Sequence, residues 1–338
     1  DGRRRDQLGQ RSPSFTAAER SLTIPAMSSS ATPPSMLSAS GIGFAVGAYF
    51  WWGLVPLYWK GILDVPATEA LIPRILWTLI ILWIATAAAG RRNETWTKNP
   101  REWGWAALSA LLLAGNWCLF VYAIQSDQIV SASLGYYINP LVSVLLGLLV
   151  LGERLHRRQA VAIAIATCGV ATIALGFGAL PGISLGLAIS FALYGLIHKL
   201  HPQPPLAGLT REMLILAPLC VVALLWLLRQ PDSAFGQASL GEHAYLALSG
   251  IVTAVPLLLF HAATRRLPLV AVGMFQYIAP TLTLLLAILF FHESFSKIHA
   301  TGFGLVWLGL GLFMFDAIRR ARTITAPPPI HPSESGSR

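Results

Sequence analysis

Arg74 stands five residues after Glu69 in an otherwise apolar run, EALIPRILWTLIILW. A guanidinium there offers a planar fork that pairs with carboxylates two bonds at a time, so its chemistry is recognition of an anionic or carbonyl-bearing molecule. The competing reading is a structural arginine that snorkels to the interface or pairs with Glu69 or main-chain carbonyls. Asn116 and Asn139 fall in the middle of apolar runs, where an unpaired amide is costly; they either contact a substrate or bond from helix to helix. His261 titrates in the range a coupling proton needs, with Glu69 as a second candidate. A lone histidine in the outer third of a helix is also an ordinary packing residue, and Gln276 is a weaker candidate still.

Aromatic residues form the second group. Tyr49 and Trp52 in AYFWWGL recur as Phe191 and Tyr194 in SFALYGL, each followed by Gly-Leu. Walls of this kind suit a flat or amphipathic molecule, or they are lipid-facing rings. Tyr137 with Pro140, and Tyr277 with Pro280, recur in YYINP and QYIAP. Proline removes a donor and frees a carbonyl, so both helices are expected to be interrupted near mid-membrane, as hinges or as fixed bends.

Other chemistry is poorly supplied. Glu153, Glu293, Asp316, Glu69 and Glu212 all lie toward the ends of apolar runs, so no carboxylate is placed at mid-depth and uniport or exchange stays open. Cys118, Cys168 and Cys220 lie in three different runs without CxxC or Cys/His spacing, so neither a disulfide, a metal site nor a cofactor is expected. Gly182 to Gly186 matches GxSxG, but that elbow needs a preceding strand. Asn93-Glu-Thr95 matches a glycosylation sequon on the expected cytoplasmic side.

The elements that must position these residues are membrane helices. Of 338 residues 55% are hydrophobic and only 12% charged, against roughly 25% charged in soluble domains. Ten runs are long enough to cross ~30 Å of hydrocarbon: 41–61, 69–89, 103–124, 129–151, 159–177, 182–199, 209–228, 244–263, 268–291 and 299–318. They are apolar on all sides, which excludes the alternating strands of an outer-membrane barrel. Residues 1–38 and 321–338 read as disordered, the first as an extension ahead of Met27 or Met36. Basic residues gather in alternate loops, Arg91 to Arg101, Arg154 to Arg158, Lys199, Arg265 with Arg266 and Arg319 to Arg322, so both termini are expected in the cytoplasm. The net charge of +9 is this topogenic signal. With no soluble basic face, nucleic acid is not an expected partner; a small-molecule substrate and membrane lipids are, with a homodimer left open.

Shifting the chain by 140 residues lays Trp105 to Leu175 on Tyr245 to Phe315 without a gap, matching Tyr137 to Tyr277, Pro140 to Pro280, Glu153 to Glu293 and Gly169 to Gly309. The chain is therefore two repeats, 39–177 and 178–320. Each holds five spans, an odd number, so the second must enter the membrane inverted. The expected fold is an all-α integral membrane protein with ten transmembrane helices in two inverted-topology five-helix repeats. That build is common among secondary transporters, with the substrate near the midplane between repeats.

GAYFWWGLVPLYWK, PRILWTLIIL, ASLGYYINPLVSVLLGLLVLGERL, ISFALYGLIHK, VTAVPLLLFHAATRRLPL and FQYIAPTL, in that order, resemble RarD-type members of the EamA family in the drug/metabolite transporter superfamily. The resemblance covers residues 41 to about 318. It implies a 5+5 helical fold in the bacterial inner membrane, with a cavity lined by spans 1–4 and 6–9 and with spans 5 and 10 peripheral. One departure is Pro73, where the group is expected to carry a histidine before Arg74. The function expected is transport of a small organic metabolite or drug-like molecule by alternating access, as an exporter. A membrane-embedded enzyme or an assembly protein is the alternative, but no clustered nucleophile, base or metal set supports catalysis.

Overall fold

In hydrocarbon the backbone has no water to bond, so the apolar runs close their own hydrogen bonds as helices. The computed structural model describes residues 38–59, 65–176, 182–290 and 297–325, the side chains of His299 and residues 320–325 apart. The expected extension before residue 38, the tail beyond residue 325, Asp64, most of the GFGALP turn and Glu293 lie outside the described residues. Ten helices are long and apolar enough to cross a membrane. They are α1 (Ala39–Trp59), α2 (Ala67–Ala88), α3 (Pro100–Gln125), α4 (Ile129–Leu149), α5 (Arg157–Gly176), α6 (Gly182–Leu200), α7 (Pro205–Leu227), α8 (Leu240–Thr264), α9 (Leu269–Leu289) and α10 (Lys297–Thr325). Single helical turns at Arg92–Thr95 and Ala234–Gln237 lie in two of the loops. The last helix runs on to Thr325, past the expected boundary at residue 320.

Local chemistry explains several ends. Asn99 caps α3, its side chain accepting from Arg101 N, and Pro100 follows at the first helical position. Ser239 and Glu242 form a reciprocal capping box on α8. After α4, Gly152 adopts φ +64°, which lets Glu153 N close on Gly147 O at 3.0 Å. The Glu153 carboxylate then accepts from Leu269 N at 2.6 Å and Val270 N at 2.8 Å, the first donors of α9. A carboxylate on the positive end of a helix dipole thus ties the first repeat to the second.

The two proline helices behave differently. α4 runs through Pro140 without interruption, which corrects the expectation of two broken helices. α9 is interrupted: Leu269–Phe275 and Ile278–Leu289 are separate segments joined by a turn at Gln276 and Tyr277. There Tyr277 N turns to Met274 O and Ala279 N to Gln276 O, the tighter three-residue pattern.

The main helix pairings have counterparts when the halves are exchanged. α1 packs on α8 and α9, as α6 packs on α3 and α4; α2 packs on α8, as α7 packs on α3; and α2–α7, α4–α9 and α5–α10 map onto themselves. The α5–α10 register is the most informative. A Cβ on Gly169 would lie 2.6 Å from Gly302 O and 2.8 Å from Val306 N, and one on Gly309 would lie 2.6 Å from Ala162 O and 2.9 Å from Ala166 N. The 140-residue shift carries 162, 166 and 169 onto 302, 306 and 309. The late residue of each helix therefore meets the early residues of the other, which only an antiparallel pair does. Outward faces carry exposed Leu175, Leu219 and Phe315, as lipid contact requires.

Small residues at this seam let the backbones touch. Gly169→Leu and Gly309→Leu are each expected to destabilise the purified protein by about 1–3 kcal/mol or more, and by similar amounts because the contacts mirror one another; thermal melting in detergent measures both.

Candidate functional site

α1 positions the aromatic residues in two tiers. Tyr49 and Trp52 occupy its middle and Tyr58 and Trp59 its end, about 15 Å further along between Tyr49 and Trp59 at 1.5 Å per residue. In the middle tier the repeat-matched rings meet: Trp52 lies 5.7 Å from Phe191, centroid to centroid, and 5.5 Å from Tyr49. Phe260 of α8 lies among them, 5.9 Å from Trp52, 5.3 Å from Phe191 and stacked at 5.8 Å on Tyr194. Tyr49 is buried, and its hydroxyl faces Gln276 at the α9 break, yet the two are not placed for a hydrogen bond. The Tyr277 hydroxyl is also buried without a partner. Three polar atoms, Tyr49 OH, Gln276 Oε1 and Tyr277 OH, are thus left unpaired on or facing the break.

In the end tier Arg74 is half-buried, seven residues or about 10.5 Å into α2. Its guanidinium carbon sits 4.4 Å from the Trp117 ring centre and 5.8 Å from that of Trp59. The phenols of Tyr136 and Tyr58 and the Cys118 thiol are within electrostatic range. Its Nε is buried and unpartnered, and among the described residues no carboxylate lies at ion-pair distance. Glu69 is occupied elsewhere: its carboxylate accepts from Ser233 Oγ at 3.1 Å and Phe235 N at 2.8 Å, fastening α2 to the loop before α8. The Arg74–Glu69 pair considered from sequence does not form. Stacking on tryptophan is worth about 0.5–2 kcal/mol, less than the several kcal/mol that removing a charge from water costs. The cation is left electrostatically incomplete. Beside it, Tyr58 and Tyr245 stack at 4.7 Å, and each hydroxyl donates to the other's carbonyl, at 2.6 and 2.8 Å, clasping α1 to α8.

Asn116 Nδ2 donates to Leu187 O and Ser190 Oγ, both at 2.9 Å, across α3 and α6. Asn139 accepts from Ser143 one turn along α4 at 3.3 Å. Tyr137 packs edge-on to Phe303 at 5.1 Å. Ser184 of the GxSxG match opens α6 and donates to Ser131 O, a helix contact. His261, read from sequence as lone, is not: its ring lies 3.7 Å from that of His198, and both adjoin buried Glu212. Tyr194 is fully buried there, bonded to Glu212 and His261.

One family description, the EamA-like transporter family, fits the chain twice, over residues 39–175 and 180–315. The chain belongs to the EamA-like transporter family. Protein RarD of Salmonella typhimurium is 41% identical over 284 residues, 83% of this chain and 97% of its own. An uncharacterized transporter of Pseudomonas aeruginosa is 40% identical over 297 residues, 84% and 97% of the two chains. A chloramphenicol-sensitive protein RarD of Pseudomonas aeruginosa is 28% identical, covering 85% and 97%. A crystal structure at 19% identity shares the fold, with a TM-score of 0.67 over 83% of this chain and 99% of its own. This EamA-like chain is of the RarD type, as the resemblance implied, and is a multi-pass membrane protein.

In the EamA-like chain Trp59, Trp117, His198 and Phe260 complete these groups without standing out in the sequence. Only one of these had a local signal: Tyr194 and His198 are four apart and so share a helix face. Trp117 and Phe260 lie far from Arg74 and Tyr194 along the chain, and no local pattern joins them.

Pairing predicts which substitutions the fold tolerates. Tyr49→Phe and Tyr277→Phe remove hydroxyls without partners and are expected to leave thermal stability unchanged or slightly raised. Asn116→Leu strands two buried partners and is expected to cost about 1–3 kcal/mol; parallel melting curves of the three variants distinguish the cases.

Proposed function

We propose that this EamA-like protein carries a small, flat or amphipathic organic anion across the bacterial inner membrane by alternating access. The observation that carries the reading is Arg74, a cation held between Trp117 and Trp59 with no protein counter-ion at ion-pair distance among the described residues. A substrate carboxylate or sulfonate completes that charge, and the indoles and phenols around it accept a planar body. Other observations support the same reading. The antiparallel α5–α10 register suits inverted repeats, and α9 is broken beside unpaired polar groups, as the discontinuous helices of transporters are. The Tyr58–Tyr245 clasp closes the end of the bundle beside Arg74. The Glu153 cap on α9 and the bond from Lys199 Nζ to Leu267 O, at 2.7 Å, hold the other. Rocking one repeat against the other requires these two sets of bonds to part in turn. Basic loops orient both termini to the cytoplasm. The relatives' names point to transport rather than catalysis.

The test uses proteoliposomes and radiolabelled benzenesulfonate, which does not cross lipid as a neutral acid, with benzylamine as the cationic control and export tested first. A charge-assisted bond is worth about 1.5–3 kcal/mol, so Arg74→Ala is expected to cut benzenesulfonate flux by about ten- to a hundredfold, and Arg74→Lys by less. Melting temperature should hold, because no protein carboxylate loses its partner. Unchanged flux in Arg74→Ala, or its failure to fold, sinks the reading.

A further inference from the structure

At the opposite end of the bundle from Arg74, four titratable side chains are buried together. Glu212 enters from α7, seven residues past Pro205; Tyr194 and His198 come from the last turns of α6, and His261 from the last turn of α8. Glu212 Oε1 accepts from Ser109 Oγ of α3 at 2.8 Å and lies 3.0 Å from His198 Nε2, out of line with a ring N–H, so that contact is electrostatic. Glu212 Oε2 is 3.0 Å from the Tyr194 hydroxyl, which is itself 2.6 Å from His261 Nε2. The other edge of the His261 ring faces the Pro205 carbonyl.

The hydrogens of this chain do not add up for the ordinary charge states. With neutral His261 donating to Pro205 O, its Nε2 is bare and takes the one Tyr194 proton. The Tyr194 oxygen and an ionised Glu212 then face each other at 3.0 Å with no proton between them. With the other tautomer, the bare nitrogen faces the Pro205 carbonyl instead. One additional proton, on Glu212 or on His261, satisfies the chain from Glu212 through Tyr194 and His261 to the Pro205 carbonyl. Two imidazolium rings are excluded, because imidazoles 3.7 Å apart cannot both be cations, and protons on both Glu212 and His261 leave a buried cation with no counter-charge.

The surroundings supply no competing counter-charge. Neighbouring Arg211 points off another face of α7, to Glu102 Oε2 at 3.0 Å and Glu94 O at 3.2 Å. Lys199 turns to Leu267 O, Arg266 bonds Ala262 O, and Arg265 is exposed. His201 stacks on Trp105, and Thr86 of α2 bonds Thr210. Among the described residues, no lysine or arginine is at ion-pair distance from Glu212.

We infer that Tyr194, His198, Glu212 and His261 form a one-proton binding site that serves this protein as its coupling-ion site. Its titration belongs to the cluster rather than to one residue. Tyr194 joins it to the transport path: the hydroxyl completes the proton chain, and the ring stacks on Phe260 in the aromatic tier with Trp52 and Tyr49. The coupling role rests on the transport reading; the binding of the proton does not.

The experiment is pH-difference infrared spectroscopy of the full chain in lipid nanodiscs. One buried protonated carboxyl is expected to appear as pH falls and to be absent in Glu212→Gln. Tyr194→Phe keeps the ring stack and is expected to shift the midpoint by about one pH unit or more, a readout that a purely structural role would not move. A band that persists in Glu212→Gln, no band at all, or a midpoint unmoved in Tyr194→Phe overturns the site. Stoichiometric Zn²⁺ binding that suppresses the titration also overturns it, in favour of a metal centre built from His198, Glu212 and His261. In proteoliposomes, one coupled proton sustains up to ~10-fold benzenesulfonate accumulation per unit of pH gradient, lost in Glu212→Gln. Flux that depends on Arg74 but ignores the gradient overturns the coupling; a titrating cluster with no Arg74-dependent flux overturns the transport reading and leaves the proton site standing.

Discussion

A polar group in the core of a membrane protein has no water to fall back on, and the rest of this structure is arranged around that constraint. Most such groups are fully answered within the chain. Asn116 spends its amide on a carbonyl and a hydroxyl of α6, and Glu153 spends its carboxylate on the exposed donors of α9. These residues hold helices together and leave nothing for a ligand. Among the described residues the Arg74 charge meets no carboxylate and the atoms at the α9 break meet no hydrogen-bond partner, and the Glu212 cluster is answered only once a proton is added. Function is read from that difference in satisfaction.

The near-symmetry of the halves makes one of their differences interpretable. Pro140 and Pro280 occupy equivalent positions, yet only α9 is interrupted. Proline alone deletes one backbone bond, which α4 tolerates. In α9 a glycine, Gly273, stands where α4 has Ser133, because a Cβ at that position would come 2.8 Å from Pro140 O. The intact helix thus demands a glycine from its partner. Glycine weakens the turn on one side of Gln276 as proline does on the other, and the helix gives way between them.

The ten spans and the duplication were legible in the sequence, because hydropathy and a fixed shift of about 140 residues are linear properties. Arg74 stood out for the same reason, as a charge in an apolar run. Its freedom from Glu69 did not, since that depends on Ser233 and Phe235, some 160 residues away. The Glu212 cluster was hidden for a related reason. Tyr194 and His261 stood out singly, Glu212 lay toward the start of its run, and only the packing of α3, α6, α7 and α8 brings them and His198 into one buried site.

Charge balance then connects the two proposed sites. With both empty, Arg74 contributes +1 and an ionised Glu212 cluster −1, and the bundle is neutral across the pair. An anion bound without a proton leaves −1, and a proton bound without an anion leaves +1; each half-loaded form holds one uncompensated charge in a poorly solvated interior. Such a charge carries a desolvation cost of several kcal/mol and feels the membrane potential at about 2.3 kcal/mol per 100 mV. The fully loaded form is neutral at each site separately, so it is the form in which the clasps at either end part most readily. Coupling of this kind needs no contact between anion and proton. It follows from placing one unpaired cation and one protonatable carboxylate in the same low-dielectric bundle.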